Sequence, residues 1–161
     1  MTAAVLTVSD SAARGEREDV SGPAVAEQLR SAGFKIMEQR VVADEQPAIA
    51  TALTELASRA LLVVTTGGTG IAERDVTPEA TRAVCSRLID GIPERIRAAG
   101  VTKTPYAVLS RGLCGVYGKS LILNLPGSPK GAVESLEAVI AILPHVIDLL
   151  AGKTSHAESH P

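Results

Sequence analysis

The sequence predicts a three-layer α/β/α sandwich around a mostly parallel central sheet. Three observations carry this expectation. Short continuous apolar runs, of the kind a strand buried on both faces requires, alternate with segments of helical periodicity. Several helical segments open on a proline, which suits the first turn of a helix. At 161 residues, the chain has the length of one domain with a substantial core. No internal repeat, low-complexity tract or linker interrupts the pattern. The expected domain covers 1–152, and the polar tail at 153–161 is expected to be disordered.

Each element has a local reason. Residues 3–8 (AAVLTV) form the first predicted strand. Ser21-Gly22-Pro23 opens a helix running to about Ser31, with Gly33 as C-cap. A loosely alternating strand is expected over 34–42, and Pro47 opens a helix that ends at Ala57 or Ser58. Residues 61–65 form a second continuous apolar strand. Thr77-Pro78-Glu79 is a strong helix start, with Thr77 as N-cap and Glu79 favoured by the macrodipole. That helix is expected to reach about Leu88, and Pro93 begins a shorter one that ends near Gly100. Strands are expected at 107–110 and 120–125. Ser128-Pro129 repeats the cap-and-proline device, and its helix is expected to run to about Leu143, where Pro144 bends or restarts it on the way to Leu150.

Composition narrows the function. The chain carries 16 Lys and Arg against 18 Asp and Glu, a net charge of −2, so it lacks the basic footprint of a nucleic-acid binder. Its apolar runs are about half the roughly 20 residues of a bilayer span. The amino terminus, MTAAVLTVSDS, lacks the basic start and apolar stretch of a signal peptide. Cys85 and Cys114 are too few for a disulfide framework and read as reduced thiols of a cytoplasmic protein. With no Trp, and only Phe34, Tyr106 and Tyr117 as aromatics, a planar ligand is expected to be held by backbone, aliphatic groups and its own charges.

In an open parallel sheet, ligands bind beyond the carboxyl ends of the strands. The predicted strands end in Ser9-Asp10-Ser11, Ala43-Asp44-Glu45, Thr66-Gly67-Gly68-Thr69-Gly70, Ser110-Arg111-Gly112 and Pro126-Gly127-Ser128-Pro129-Lys130. A glycine-dense turn between a strand and a helix lets main-chain N–H groups approach an anion, and Thr66 and Thr69 add hydroxyls. A tight turn without a ligand is the plainer alternative. Pro126 to Lys130 is a second candidate anion cradle. Two cradles suit one ligand with phosphates at both ends, or two phosphorylated substrates. Gly118-Lys119-Ser120 imitates the end of a phosphate-binding P-loop, but Leu113 stands where the first Gly belongs and a strand follows. Asp44 and Asp75 follow different strands and are candidates to share a Mg²⁺ ion, which takes one or two carboxylates plus substrate phosphates. For Asp75, helix capping or pairing with Arg74 is the alternative.

These motifs, taken with Thr7-Val8-Ser9-Asp10, Asp19-Val20-Ser21-Gly22-Pro23, Arg74-Asp75-Val76-Thr77-Pro78-Glu79 and Asn124-Leu125-Pro126-Gly127-Ser128-Pro129-Lys130-Gly131, resemble the MogA/MoaB family of molybdenum cofactor biosynthesis, also seen as a domain of gephyrin. The resemblance covers the chain in order up to about Gly152. It implies the molybdopterin-binding fold and an adenylyltransferase that takes molybdopterin and ATP, with Mg²⁺, to adenylyl-molybdopterin and pyrophosphate. It implies Asp44 and Asp75 as catalytic and metal-binding residues. Thr66, Gly67, Gly68, Thr69, Gly70, Ser110 and Arg111 would bind phosphate or pterin, together with Pro126, Gly127 and Ser128. Ser9, Asp10, Ser21 and Gly22 would lie toward the nucleotide. It also implies a homo-oligomer, commonly a trimer, and a MoeA-like molybdate insertase as partner. Cys114 stands where a small residue such as Ala is expected. The chemistry agrees with the residues: a phosphate monoester is already an anionic nucleophile, and His145, His156 and His160 all lie outside the motifs. A carrier of the same family would keep the glycine cradle without needing both aspartates. A CinA-type nucleotide-processing protein would carry a second domain.

Overall fold

The computed structural model describes residues 1–153; the expected disorder of the tail from Thr154 onward lies outside them. The strands are β1 (Thr2–Val8), β2 (Lys35–Val42), β3 (Leu62–Thr66), β4 (Arg87–Leu88), β5 (Cys114–Tyr117) and β6 (Ser120–Leu125). They form a six-stranded sheet in the order β2-β1-β3-β6-β5-β4. β2, β1, β3 and β6 run parallel, whereas β5 and β4 complete the far edge antiparallel. The helices are α1 (Asp10–Ala13), α2 (Ser21–Ser31), α3 (Gln46–Ala57), α4 (Thr77–Val84), α5 (Gly91–Val101), α6 (Pro129–Glu137) and α7 (Leu143–Leu150).

Strand alternation sorts the core into two layers. Val5, Val64 and Leu123 point to one face, under Leu29 of α2, Ile96 of α5 and Leu136 of α6. Leu6, Val63 and Ile122 point to the other, under Leu53 of α3 and Ala80 of α4. The three-layer sandwich expected from sequence is therefore the observed architecture. Cys114 packs in the first layer, where burial pushes its thiol up to about 12. Cys85 packs against the second, with its thiol pushed up by burial to about 11. Neither has the thiolate character of a nucleophile at neutral pH.

Several elements differ from expectation: α1 and β5 form where no element was expected, and β4 forms where a helix was. The run at 107–110 is not a strand: Pro105–Leu109 is a 3₁₀ helix, with Pro105 in its first turn and the Thr104 hydroxyl accepting from the Tyr106 N–H. A run that short has no periodicity to distinguish strand from helix, and Tyr106, Val108 and Leu109 face solvent. α4 stops at Val84 because Cys85 is extended and Ser86 N–H bonds Val116 O as the chain enters β4. Thr77 is not an N-cap. Val76 holds that position, and the Thr77 hydroxyl instead donates to Gly67 O at 2.9 Å. α6 ends at Glu137, and α7 restarts with Pro144 in its first turn, where a missing N–H breaks no helical bond. The P-loop imitation is the hairpin turn joining β5 to β6, with Tyr117 opposite Ser120.

Asn124 holds the parallel sheet to its neighbours. It is 3% exposed. Its amide donates to Thr65 Oγ1 at 3.1 Å and Thr81 Oγ1 at 2.9 Å, and its carbonyl accepts from Leu113 N–H. Asn124→Ala leaves that half-buried N–H without its acceptor and removes partners from two buried hydroxyls. It is expected to cost about 3 kcal/mol, read as a lower urea midpoint at unchanged slope.

Candidate active site

The carboxyl ends of β1, β2, β3 and β6 converge on one edge of the sheet, where two cavities open. The first has a volume of ≈ 460 Å³ and is lined by Ser9, Ser21 and Thr66, by Gly67 and Gly68, and by Asp44 and Asp75. The second has a volume of ≈ 350 Å³ and a more apolar wall, lined by Gly70, Ile96, Tyr106, Ser110 and Pro126 among others. Gly127 lines the first cavity only, and Ser128 lines both. The glycine turn is thus divided: Gly67 and Gly68 face one space and Gly70 the other.

Asp44 is held by a reciprocal exchange. Its Oδ2 accepts the N–H of Asp10 at 2.9 Å, and its own N–H donates to Asp10 Oδ1 at 2.9 Å. Arg74 then grips both oxygens of Asp10, through Nε at 2.9 Å and Nη2 at 2.8 Å. The two acids separate electrostatically. Arg74, followed by the Asp44 N–H, holds the Asp10 carboxyl below its ordinary range. Burial raises the Asp44 carboxyl, and the negative charges of Asp10 and Asp75 add to that rise. Asp75 is fixed by a local turn, its Oδ2 accepting the Ala72 N–H at 3.0 Å. Among the described residues, no group donates to Oδ1 of Asp44 or Oδ1 of Asp75.

The floor of the first cavity is a small polar network. Ser21 Oγ and Thr66 Oγ1 are 2.8 Å apart and buried. Asp19 accepts from the Thr7 hydroxyl at 2.7 Å and from the Gly22 N–H at 3.0 Å. Gly67 has φ +92, and a Cβ there would run into the Val8 carbonyl. Its Cα also lies against Gly127, 3.2 Å from where a Cβ of that residue would stand, so the turns after β3 and β6 touch through backbone alone.

Four of the sequence candidates line neither cavity: Asp10, Gly22, Thr69 and Arg111. Asp10 and Gly22 bond to Asp44 and Asp19 respectively. Thr69 is buried and gives its carbonyl to the Arg111 N–H. The Arg111 guanidinium is spent on Gly70, Asp75 and Glu79. Lys130 is exposed and lies 4.0 Å from Glu134. Sequence reasoning missed Arg17 and Asp19 in the first cavity and Arg97 in the second. Asp19 lay within a quoted motif. Arg97 stands one helical turn after Pro93, a spacing that puts both on the inner stripe of α5, and its Nη1 reaches Ser110 O and Gly112 O at 3.4 Å each.

The family described as "Probable molybdopterin binding domain" matches residues 4–145. The molybdopterin adenylyltransferase of Helicobacter pylori J99 is 44% identical over 152 residues, covering 92% of this chain and 86% of the relative. That of Escherichia coli K12 is 41% identical over 165 residues, covering 92% and 84%. The crystal structure of the molybdopterin biosynthesis enzyme MoaB from Thermus thermophilus superposes with a TM-score of 0.88 at 50% identity, covering 94% of this chain and 96% of that one. With the family match spanning most of the described residues and these relatives covering nearly all of the chain, the protein belongs to the molybdopterin-binding domain family, in its MogA/MoaB group.

Proposed function

We propose that the chain is a molybdopterin adenylyltransferase that acts in molybdenum cofactor biosynthesis. The observation that carries this reading is the pair of cavities sharing Ser128, one lined by two carboxylates and a glycine turn, the other more apolar. Such a pair suits two phosphorylated substrates that must meet. ATP fits the first cavity and molybdopterin the second, with the terminal phosphate of the pterin at the Ser128 boundary. An oxygen of that phosphate bonds to the α-phosphorus of ATP as the bond from that phosphorus to the bridging oxygen breaks, and pyrophosphate leaves with the electron pair. Both reacting groups are anions, so the protein's task is alignment and charge neutralisation.

The donor set fits Mg²⁺. Asp44 and Asp75 line one cavity, and each keeps one carboxylate oxygen clear of donors among the described residues. Two carboxylates plus substrate phosphates is the set Mg²⁺ favours. When bound, the ion supplies charge neutralisation for the polyphosphate. The chain's own residues do the rest. The Asp10 and Ala72 N–H groups orient the two carboxylates. Gly67 and Gly68, both at positive φ, bring main chain to the wall of the first cavity at the end of β3. Ser128 caps α6, whose positive end faces the boundary between the cavities. The family resemblance further supports a homotrimer and delivery of the product to a MoeA-like molybdate insertase in the cytoplasm. The exposed Tyr106, Val108 and Leu109 supply apolar surface for such contacts.

The test is pyrophosphate release from ATP and Mg²⁺ by the purified chain. Release is expected only when molybdopterin is present. Tight pterin binding without release would replace the enzyme by a carrier.

A further inference from the structure

Arg111 stands between the two cavities and lines neither. Its main-chain N–H donates to Thr69 O at 2.8 Å. Its side chain then bridges outward: Nε to Gly70 O at 2.8 Å, Nη2 to Asp75 O at 2.6 Å, and Nη1 to the Glu79 carboxylate. One residue therefore bonds the loop after β3 near its start, at its catalytic aspartate and in the first turn of α4. Thr77 closes the base of the stretch that Arg111 spans, its N–H donating to Gly68 O and its hydroxyl to Gly67 O. Ile71 to Arg74 are exposed, and the Ala72–Asp75 pair is a local turn that travels with the loop. On the far side, Arg74 reaches Asp10 from solvent. The residue before Arg111 is Ser110, which lines the second cavity. A planar guanidinium can satisfy three diverging acceptors at once, whereas a single ammonium cannot hold them in a fixed fork.

We propose that Arg111 is a positioning residue that locks Asp75 and Gly70 to the Ser110 wall, so that the carboxylate of the first cavity is aligned with the contents of the second. The inference rests on the adenylyltransferase reading for its kinetic consequence, but its structural half does not. The experiment compares wild type with Arg111→Gln and Arg111→Lys as full chains. In Arg111→Gln, amide hydrogen exchange over 70–76 is expected to rise about tenfold while β3 and β6 stay protected. Pyrophosphate release is expected to fall about 100-fold in kcat, the scale of a misplaced catalytic group, with KM for molybdopterin within about threefold of wild type. Arg111→Lys is expected to recover part of kcat.

Wild-type kcat in Arg111→Gln would overturn the proposal, as would a loss confined to KM for molybdopterin, which would make Arg111 a substrate contact. If the wild type releases no pyrophosphate, the adenylyltransferase reading fails by itself. Exchange then decides the strut, and unchanged exchange over 70–76 in Arg111→Gln overturns it. Should Arg111→Gln not fold, Glu79→Ala removes one of the acceptors. A kcat loss of about threefold at unchanged KM for molybdopterin supports the proposal, and wild-type kcat with wild-type exchange overturns it.

Discussion

Asp44→Asn is expected to give a folded protein that has lost about 100- to 1000-fold in turnover, the scale of removing one aligned charge from a reacting site. The amide oxygen of Asn can still accept the Asp10 N–H, so the turn that joins the ends of β1 and β2 survives. What disappears is the anionic oxygen facing the cavity. Asp75→Asn is expected to behave alike, with pterin binding retained. Stability should move the other way in Asp44→Asn. The folded Asp44 carboxyl titrates above its ordinary 3.8, chiefly through burial. Its contribution to stability is therefore fully present below 3.8 and is lost as pH rises through the folded value. At pH near 7 the charged group is a load on the fold, which Asn removes. Thermal melts at neutral pH are expected to place the variant at or above wild type. A variant that melts lower and turns over normally would contradict both halves.

Gly67→Ala is expected to lower stability by about 2–5 kcal/mol. A non-glycine residue at positive φ costs roughly 1–2 kcal/mol, and forcing a side chain into a packed site adds about 1–3 kcal/mol. Both apply, because Gly67 has φ +92 and an added Cβ meets the Val8 carbonyl, which is backbone and cannot swing aside. Gly33→Ala is the control. Gly33 has φ +90 with nothing within 4 Å of the added atom, so it carries the strain without the collision and should cost only about 1–2 kcal/mol. Urea midpoints of the two variants separate the terms. Equal losses would mean that the Val8 contact contributes nothing.

Much of this molecule is legible from residue order, for reasons that differ by element. Strands β1, β3 and β6 are buried on both faces, so their runs are predominantly apolar rather than alternating. α2 and α6 begin at Ser21-Gly22-Pro23 and Ser128-Pro129 because those residues carry the cap or fixed φ that a start needs. Failures occur where tertiary bonds outrank local signals. Thr77 has the identity of an N-cap, yet its hydroxyl is drawn to Gly67 O by a turn ten residues earlier. β4 is two residues long and exists only because Val116 and Cys114 offer partners. The site divides in the same way. Asp44 and the glycine turn were expected at the sheet edge because they follow the ends of β2 and β3, and Asp75 follows on the same loop. That Arg111 turns inward toward carbonyls, and that Arg97 comes to lie beside Ser110, depends on packing between segments distant in the chain.

The scarcity of aromatic rings leaves the protein optically quiet, and that has a practical consequence. With no tryptophan and two tyrosines, near-ultraviolet emission comes from Tyr106, 75% exposed on the wall of the second cavity, and from Tyr117 beside the hairpin turn joining β5 to β6. A pterin entering that cavity absorbs where tyrosine emits, so quenching of Tyr106 reports occupancy of that space, and the wavelengths at which a pterin itself absorbs are free of indole background. The fold therefore carries a built-in label on one of its two cavities, and filling of the second can be followed by light without attaching a dye.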